Sequence, residues 1–162
     1  MANDQVILTQ DGLIEKQNKL DFLKTVKRAQ ISEQIKEARA FGDLSENAEY
    51  DEAKNEQARV ETEIAQLEKL LRNATVVEDN EVDHSTVNIG TAVRILDIEF
   101  DEEDVYHIVG SVEADSDRKR ISNESPVGAA LLGKKIGDIA EVATPSGATI
   151  NFKILDIFKQ GR

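Results

Sequence analysis

Cysteine is absent from the chain, which removes disulfides and thiolate metal sites and makes a reducing compartment the expectation. Tryptophan is also absent and aromatic residues make up only 4% of 162 residues, a poor supply for an aromatic-lined apolar pocket. There are two prolines, neither of them in the first half, so nothing of that kind interrupts a long helix there. No run of about 18 apolar residues occurs, and the start "MANDQVILTQDG" has neither a basic segment nor an apolar stretch after it, so no membrane span or secretory leader is expected. The expected setting is the cytoplasm. A basic excess is lacking too: the formal charge of −12 argues against a chain that grips duplex nucleic acid by neutralising phosphates. Any nucleic-acid role must be local or borrowed from a partner.

The charge that is present is unevenly placed. Residues 10–74 hold 11 Lys and Arg against 14 Asp and Glu, while residues 75–162 hold 9 against 17. The first of these stretches also carries helical periodicity. From Thr9, a suitable N-cap, the apolar positions Leu13, Leu20, Leu23, Ile31, Ile35 and Ala38 predict a helix of about eight turns. A second run, Ala53, Gln57, Val60, Ile64, Leu67 and Leu71, alternates steps of four and three, the spacing of a coiled-coil seam. Two such helices joined by a short turn must lie antiparallel, each covering the other's apolar stripe. A helix of about 32 residues makes an arm roughly 48 Å long, with only two layers and little core beyond its seam.

After "LLRNATVV" the pattern changes. "TAVRILDIEF", "DVYHIVG", "IAEVAT" and "TINFKILDIF" are short, rich in β-branched residues and separated by turn material, which reads as an antiparallel sheet. "SPVGAALLGK" begins with a Ser-Pro pair suited to a helix start and ends at Gly133, giving one helix to pack on the sheet. The expected class is α+β, with a coiled-coil hairpin over residues 1–78, its acidic tip at 42–50, and a small sheet domain over 79–162. The acidic "EDNEVDHST" would be the junction.

The turn between the helices, "FGDLSENAEY", carries Asp43, Glu46 and Glu49 and little that is apolar except Leu44. Two readings stand side by side. Gly42 can end one helix in the left-handed conformation, and Asp43 with Glu46 three residues later resembles a capping box, so the segment would do no more than turn the chain. Alternatively, two carboxylates three residues apart project from the end of a rigid arm, near enough to share an ion. Mg²⁺ is commonly held by one or two protein carboxylates together with phosphate oxygens and water, so this pair suffices for part of a site, and a partner must complete it. No histidine or serine arrangement lies nearby. His84 and His107 fall in the other half and read as solvated or structural side chains.

The run "ARAFGDLSENAEYDEAKNEQ", followed by "IAQLEKLLRNATVV" and "RISNESPVGAALLGKKIGD", closely resembles the Gre family of bacterial transcript cleavage factors, in order and over essentially the whole chain. The resemblance implies that the hairpin enters the secondary channel of RNA polymerase. There Asp43 and Glu46 would help coordinate a catalytic Mg²⁺ shared with the polymerase active centre and position water, and the polymerase would hydrolyse its own backtracked RNA near the 3′ end. The isolated protein would then hold no tight metal and be no enzyme by itself. The resemblance further implies an FKBP-like second domain that docks at the channel entrance through "NESPVG", with Asn123, Glu124, Ser125 and Pro126 as docking residues, although Ser125-Pro126 would start a helix in any case. Asn47 and Tyr50 match the family motif and stand as contacts to the RNA end or channel wall, with packing over the turn as the other reading of Tyr50. Arg39 and Lys54 flank the tip as possible RNA-holding charges or merely solvated ones. Ser45 stands where some members carry a basic residue, which weakens an expected grip on RNA. An FKBP-like shape suggests prolyl isomerisation, which so few aromatic residues argue against. Two other readings remain: a channel occupant that inhibits or competes without promoting cleavage, and a coiled-coil adaptor whose tip is only a capped turn. A monomer is expected because the hairpin closes its own seam.

Overall fold

A computed structural model of the chain describes residues 6–41, 44–78 and 82–159, without the side chains of 41 and 44–47. The chain divides into two compact units, one formed by Ile14–Asn73 and the other by Met1–Leu13 together with Ala74–Arg162.

The Ile14–Asn73 unit is the expected helical hairpin. Its first limb runs through α1 (Gln10–Phe22), a π-helical segment (Leu23–Lys27) and α2 (Arg28–Phe41), and its second is α3 (Leu44–Asn73). Leu23, Ile31, Val60, Ile64 and Leu67 are buried together, with Leu20 and Ile35 packed against them. The π segment was not anticipated, yet the apolar spacing accounts for it. Leu23 and Ile31 are eight residues apart, and at about 100° per residue an α-helix would carry Ile31 some 80° off the seam. A π turn absorbs one extra residue and returns it, so that both side chains are buried, with 6% and 2% exposure. The Thr25 hydroxyl donates to the Asp21 carbonyl at 2.6 Å within this widened turn.

Charge also pairs the limbs. Gln10–Phe41 carries seven Lys and Arg against five acids, whereas Leu44–Asn73 carries four against eight. Lys19–Glu63, Lys24–Glu68, Lys27–Glu56 and Arg28–Glu61 all run from the first limb to the second. These pairs are exposed, so they select the antiparallel partner more than they stabilise it.

The other unit contains β1 (Val6–Thr9), β2 (Ala74–Val77), β3 (Thr91–Asp97), β4 (Glu102–Val109), β5 (Arg120–Ser122), the short helix α4 (Pro126–Leu131), β6 (Ile139–Ala143) and β7 (Thr149–Lys159). Five strands form a sheet in the order β5-β4-β3-β7-β6. The long β7 lies between β3 and β6, antiparallel to both, with a bulge opposite Arg94/Ile95. Ile95, Ile108, Ile154 and Leu131 are fully buried between the sheet and α4. The sheet is mixed and not wholly antiparallel, because β5 pairs parallel to β4, register His107↔Arg120 to Val109↔Ser122. Two 3₁₀ turns, Ser111–Glu113 and Ser116–Arg118, fold the intervening chain back to allow it.

A second, two-stranded parallel ladder pairs Val6–Thr9 with Ala74–Val77. Parallel strands require a long crossover, and here the crossover is the helical hairpin itself. The units therefore part at Leu13/Ile14 and Asn73/Ala74, not near residue 78, since the first strand belongs with the sheet.

Candidate functional site

α2 ends at Phe41 and α3 begins at Leu44. Glu46 lies in the first turn of α3, three residues beyond Asp43. Asp43 itself, and the side chains of Glu46 and Asn47, lie outside the described residues, as does the capping box expected there.

The described part of the tip begins one turn further down. Ala38 and Ala53 are buried at 6% each, and such small side chains let the limbs approach. They floor a groove of about 420 Å³ bordered by Glu37, Glu49, Glu52 and Glu56, with Lys27 and Arg59 at one end. Glu56 Oε2 accepts a hydrogen bond from Arg59 at 2.5 Å, and Lys27 approaches Glu56 Oε1 at 3.6 Å. The Arg59 hydrogen bond, foremost, holds its carboxyl below the usual range. Glu52 and Glu56 are not singled out by the sequence reading, which names only Glu49 of the three, although steps of three and four place Glu49, Glu52 and Glu56 on one face of α3.

Tyr50 is half-buried, and the Arg39 guanidinium stands 5.8 Å from its ring centre. This cation–π contact joins the end of α2 to the start of α3 and is worth about 0.5–1 kcal/mol at an exposed site. The packing reading of Tyr50 thus has a partner, and Arg39 is not merely a solvated charge. Lys54 turns along its own helix to Gln57 Oε1 at 3.2 Å and does not join them.

The second candidate segment is built around α4. Ser125 is its N-cap: Ser125 Oγ accepts from the Gly128 N–H at 3.1 Å and donates to the Ser122 carbonyl at 2.6 Å, with Pro126 in the first turn. The Asn123 N–H donates to the Val109 carbonyl at 3.0 Å, tying the turn to β4. Glu124 is fixed by Ser111, whose Oγ donates to Glu124 Oε2 at 2.9 Å. Glu124 and Pro126 face solvent on a turn in which the N–H groups of Asn123, Glu124 and Ser125 all have partners. Such a turn suits a docking contact because little order has to be gained on binding.

The histidines are not brought together. His84 is exposed, while His107 is half-buried on β4, where burial first and the Arg120 charge second push its pKa down. Among the described residues no group of three or more His, Asp and Glu is placed to hold a metal ion, and no helix is long and apolar enough to cross a membrane.

A two-limbed helical hairpin followed by a small curled mixed sheet with a Ser-Pro-capped helix defines a class that comparison identifies. Residues 6–76 match the family described as transcription elongation factor, N-terminal, and residues 82–159 match transcription elongation factor, GreA/GreB, C-terminal. The chain is 56% identical over 158 residues to transcription elongation factor GreA of Acetivibrio thermocellus, covering 98% of this chain and 99% of that protein. It is 54% identical over 154 residues to GreA of Thermoanaerobacter pseudethanolicus, covering 95% and 98%. Among solved structures, the GreA factor homolog 1 (Gfh1) protein of Thermus thermophilus aligns with a TM-score of 0.43 and 27% identity, covering 94% of this chain and 98% of that one. The chain belongs to the GreA/GreB family of transcription elongation factors.

Proposed function

We propose that this elongation factor binds RNA polymerase, places its hairpin in the secondary channel, and stimulates the polymerase's own hydrolysis of backtracked RNA, releasing a 3′ fragment and rescuing arrested complexes. The carrying observation is that family membership spans both units while "GDLSENAEY" follows directly in sequence on α2 and runs into the start of α3. Asp43 and Glu46 supply oxygen donors of the kind Mg²⁺ accepts, and two carboxylates are too few for a site alone, so polymerase aspartates and RNA phosphate complete it. When bound there, the ion would steady the attacking and leaving oxygens of the phosphodiester. This chain's own part is to bring the two carboxylates and a water to the RNA 3′ end. Arg39, held over Tyr50, keeps the two limbs together beneath them. Asn123 to Pro126 form the docking turn on the sheet unit. The factor works as a monomer in the cytoplasm, where transcription proceeds.

The test is cleavage of stalled, backtracked polymerase complexes at saturating factor. Wild type is expected to release RNA. Asp43→Asn, which removes charge while keeping a good helix cap, is expected to bind and compete yet lose most of the stimulation, and Glu46→Gln to behave likewise. Full stimulation by Asp43→Asn would leave the tip as a turn only. Binding without release by wild type would show a channel occupant that blocks, and absence of binding an adaptor of another kind.

A further inference from the structure

Thr9 ends β1 and is the N-cap of α1: its Oγ1 accepts from the Gly12 N–H at 3.1 Å, the bond an N-cap makes to the third helical residue. In a capping box, the third residue is Glu or Gln and its side chain reaches back to the N-cap N–H. Here the third residue is Gly12, which has no side chain to do so. The missing half is supplied from 104 residues further along the chain, where Glu113 Oε2 accepts from the Thr9 N–H at 2.8 Å. Glu113 Oε1 accepts from the Thr9 hydroxyl at 2.6 Å.

The space confirms that this is a built contact. A Cβ on Gly12 would fall inside the Glu113 carboxylate, and a Cβ on Gly110 would collide with the Ile7 carbonyl, so both glycines are required for β1 and the 110–113 turn to approach. Thr9 and Glu113 are each 6% exposed, and Leu8 beside them is fully buried. A buried carboxylate is costly unless its oxygens are satisfied, and here both accept hydrogen bonds while facing the positive end of α1.

We propose that Glu113 completes a split capping box and is a positioning residue for transcript cleavage: within the sheet unit it fixes the first turn of the leading helix, which runs on from there into the hairpin. The inference rests on the function proposed above. Reacting groups displaced by about 1 Å lose on the order of 100-fold in rate, so delivery of tip carboxylates by a long helix is sensitive to how firmly that helix is rooted.

The experiment uses the full chain, in wild-type, Glu113→Ala, Glu113→Gln, Thr9→Val and Thr9→Ser forms. It measures the saturating cleavage rate, the half-maximal concentration in polymerase competition, and amide exchange. Glu113→Ala is expected to lower the saturating rate several-fold with competition unchanged. Exchange at Thr9 and Gly12 should quicken by about tenfold or more, the scale of a lost cap, while Ile95 and Ile154 keep their protection. Thr9→Val should follow Glu113→Ala, Thr9→Ser should match wild type, and the near-isosteric Glu113→Gln, which keeps one acceptor and stays folded, should fall between. A wild-type saturating rate in Glu113→Ala despite rapid exchange at Thr9 and Gly12 would make the contact structural only and overturn the proposal. Unchanged exchange in both Glu113 variants would overturn the capping box itself. If the wild-type chain fails to stimulate cleavage, the functional reading falls and the positioning role with it, an outcome distinct from either of these.

Discussion

His107 shows how a single side chain is governed by its place in the sheet. It lies on β4 between Ala92 of β3 and Arg120 of β5, half out of water and beside a fixed positive charge. Both influences disfavour the imidazolium, so the folded state holds its proton less tightly than the unfolded chain. The unfolded state therefore binds more protons as pH falls below the ordinary histidine value of about 6.5, and folding stability contributed by this group is lost in that direction. Imidazole resonances should titrate below the usual midpoint. Thermal melts from pH 8 down to pH 5 should lose less stability in His107→Gln than in wild type. Equal pH slopes in the two proteins would show that His107 is not the source. The sequence leaves His107 as either a solvated or a structural side chain; its half-burial and lowered pKa are not legible there, since they depend on Arg120 arriving by parallel pairing.

At the scale of elements, the strongly periodic segments were the legible ones. Leu23, Ile31, Val60, Ile64 and Leu67 were all read as seam positions and all are buried. β3, β4, β6 and β7 follow the β-branched runs, and Ser125-Pro126 starts α4 as its chemistry requires. What escaped were the strands of three or four residues: β1, β2 and β5 are too short to display a period. β2 was hidden further because it continues directly from α3. The π segment shows in the sequence only as an eight-residue step from Leu23 to Ile31. It carries a direct prediction. Deleting exposed Val26 shortens that step to seven, which an ordinary α-helix accommodates, so the hairpin should keep its seam and melt no lower than wild type. Deleting Thr25 and Val26 together should rotate Ile31, Ile35 and Ala38 away from α3 and cost several kcal/mol, since loss of one buried Ile side chain alone costs about 2–5 kcal/mol. Thermal unfolding of the two deletions decides this; a large loss in the single deletion would mean that the π turn does more than restore register.

For the whole molecule, the structural division follows the two units and not the two halves of the sequence. A chain of residues 80–162 would lack β1 and β2 and leave Glu113 without Thr9, so it is expected to be markedly less stable than the sheet unit within the full chain. Joining Leu13 to Ala74 through a flexible linker of about eight residues, enough to span a four-residue strand, should restore it. Comparing the denaturant midpoints of the two fragments tests this, and equal midpoints would show that the first thirteen residues add nothing. Of the candidate site, sequence marks the segments around the helical turn and Ser125-Pro126 but not Glu113, which stands in "GSVEADSD" and reads as plain turn material until Thr9 is placed beside it.

The same pairing has a consequence for the order in which a newly made chain assembles. β1 leaves the ribosome first, but its ladder partner follows only after the whole hairpin, and its carboxylate partner only after residue 113. The hairpin is contiguous, can close its seam as soon as α3 emerges, and in doing so brings the two ends of a long loop together before either strand has a mate. β1 is thus made before its partners and is among the last elements to find its place. Pulse-labelled exchange during refolding should show Ile31 and Ile64 protected before Leu8 and Thr9, whereas simultaneous protection would mean that strand and hairpin form as one.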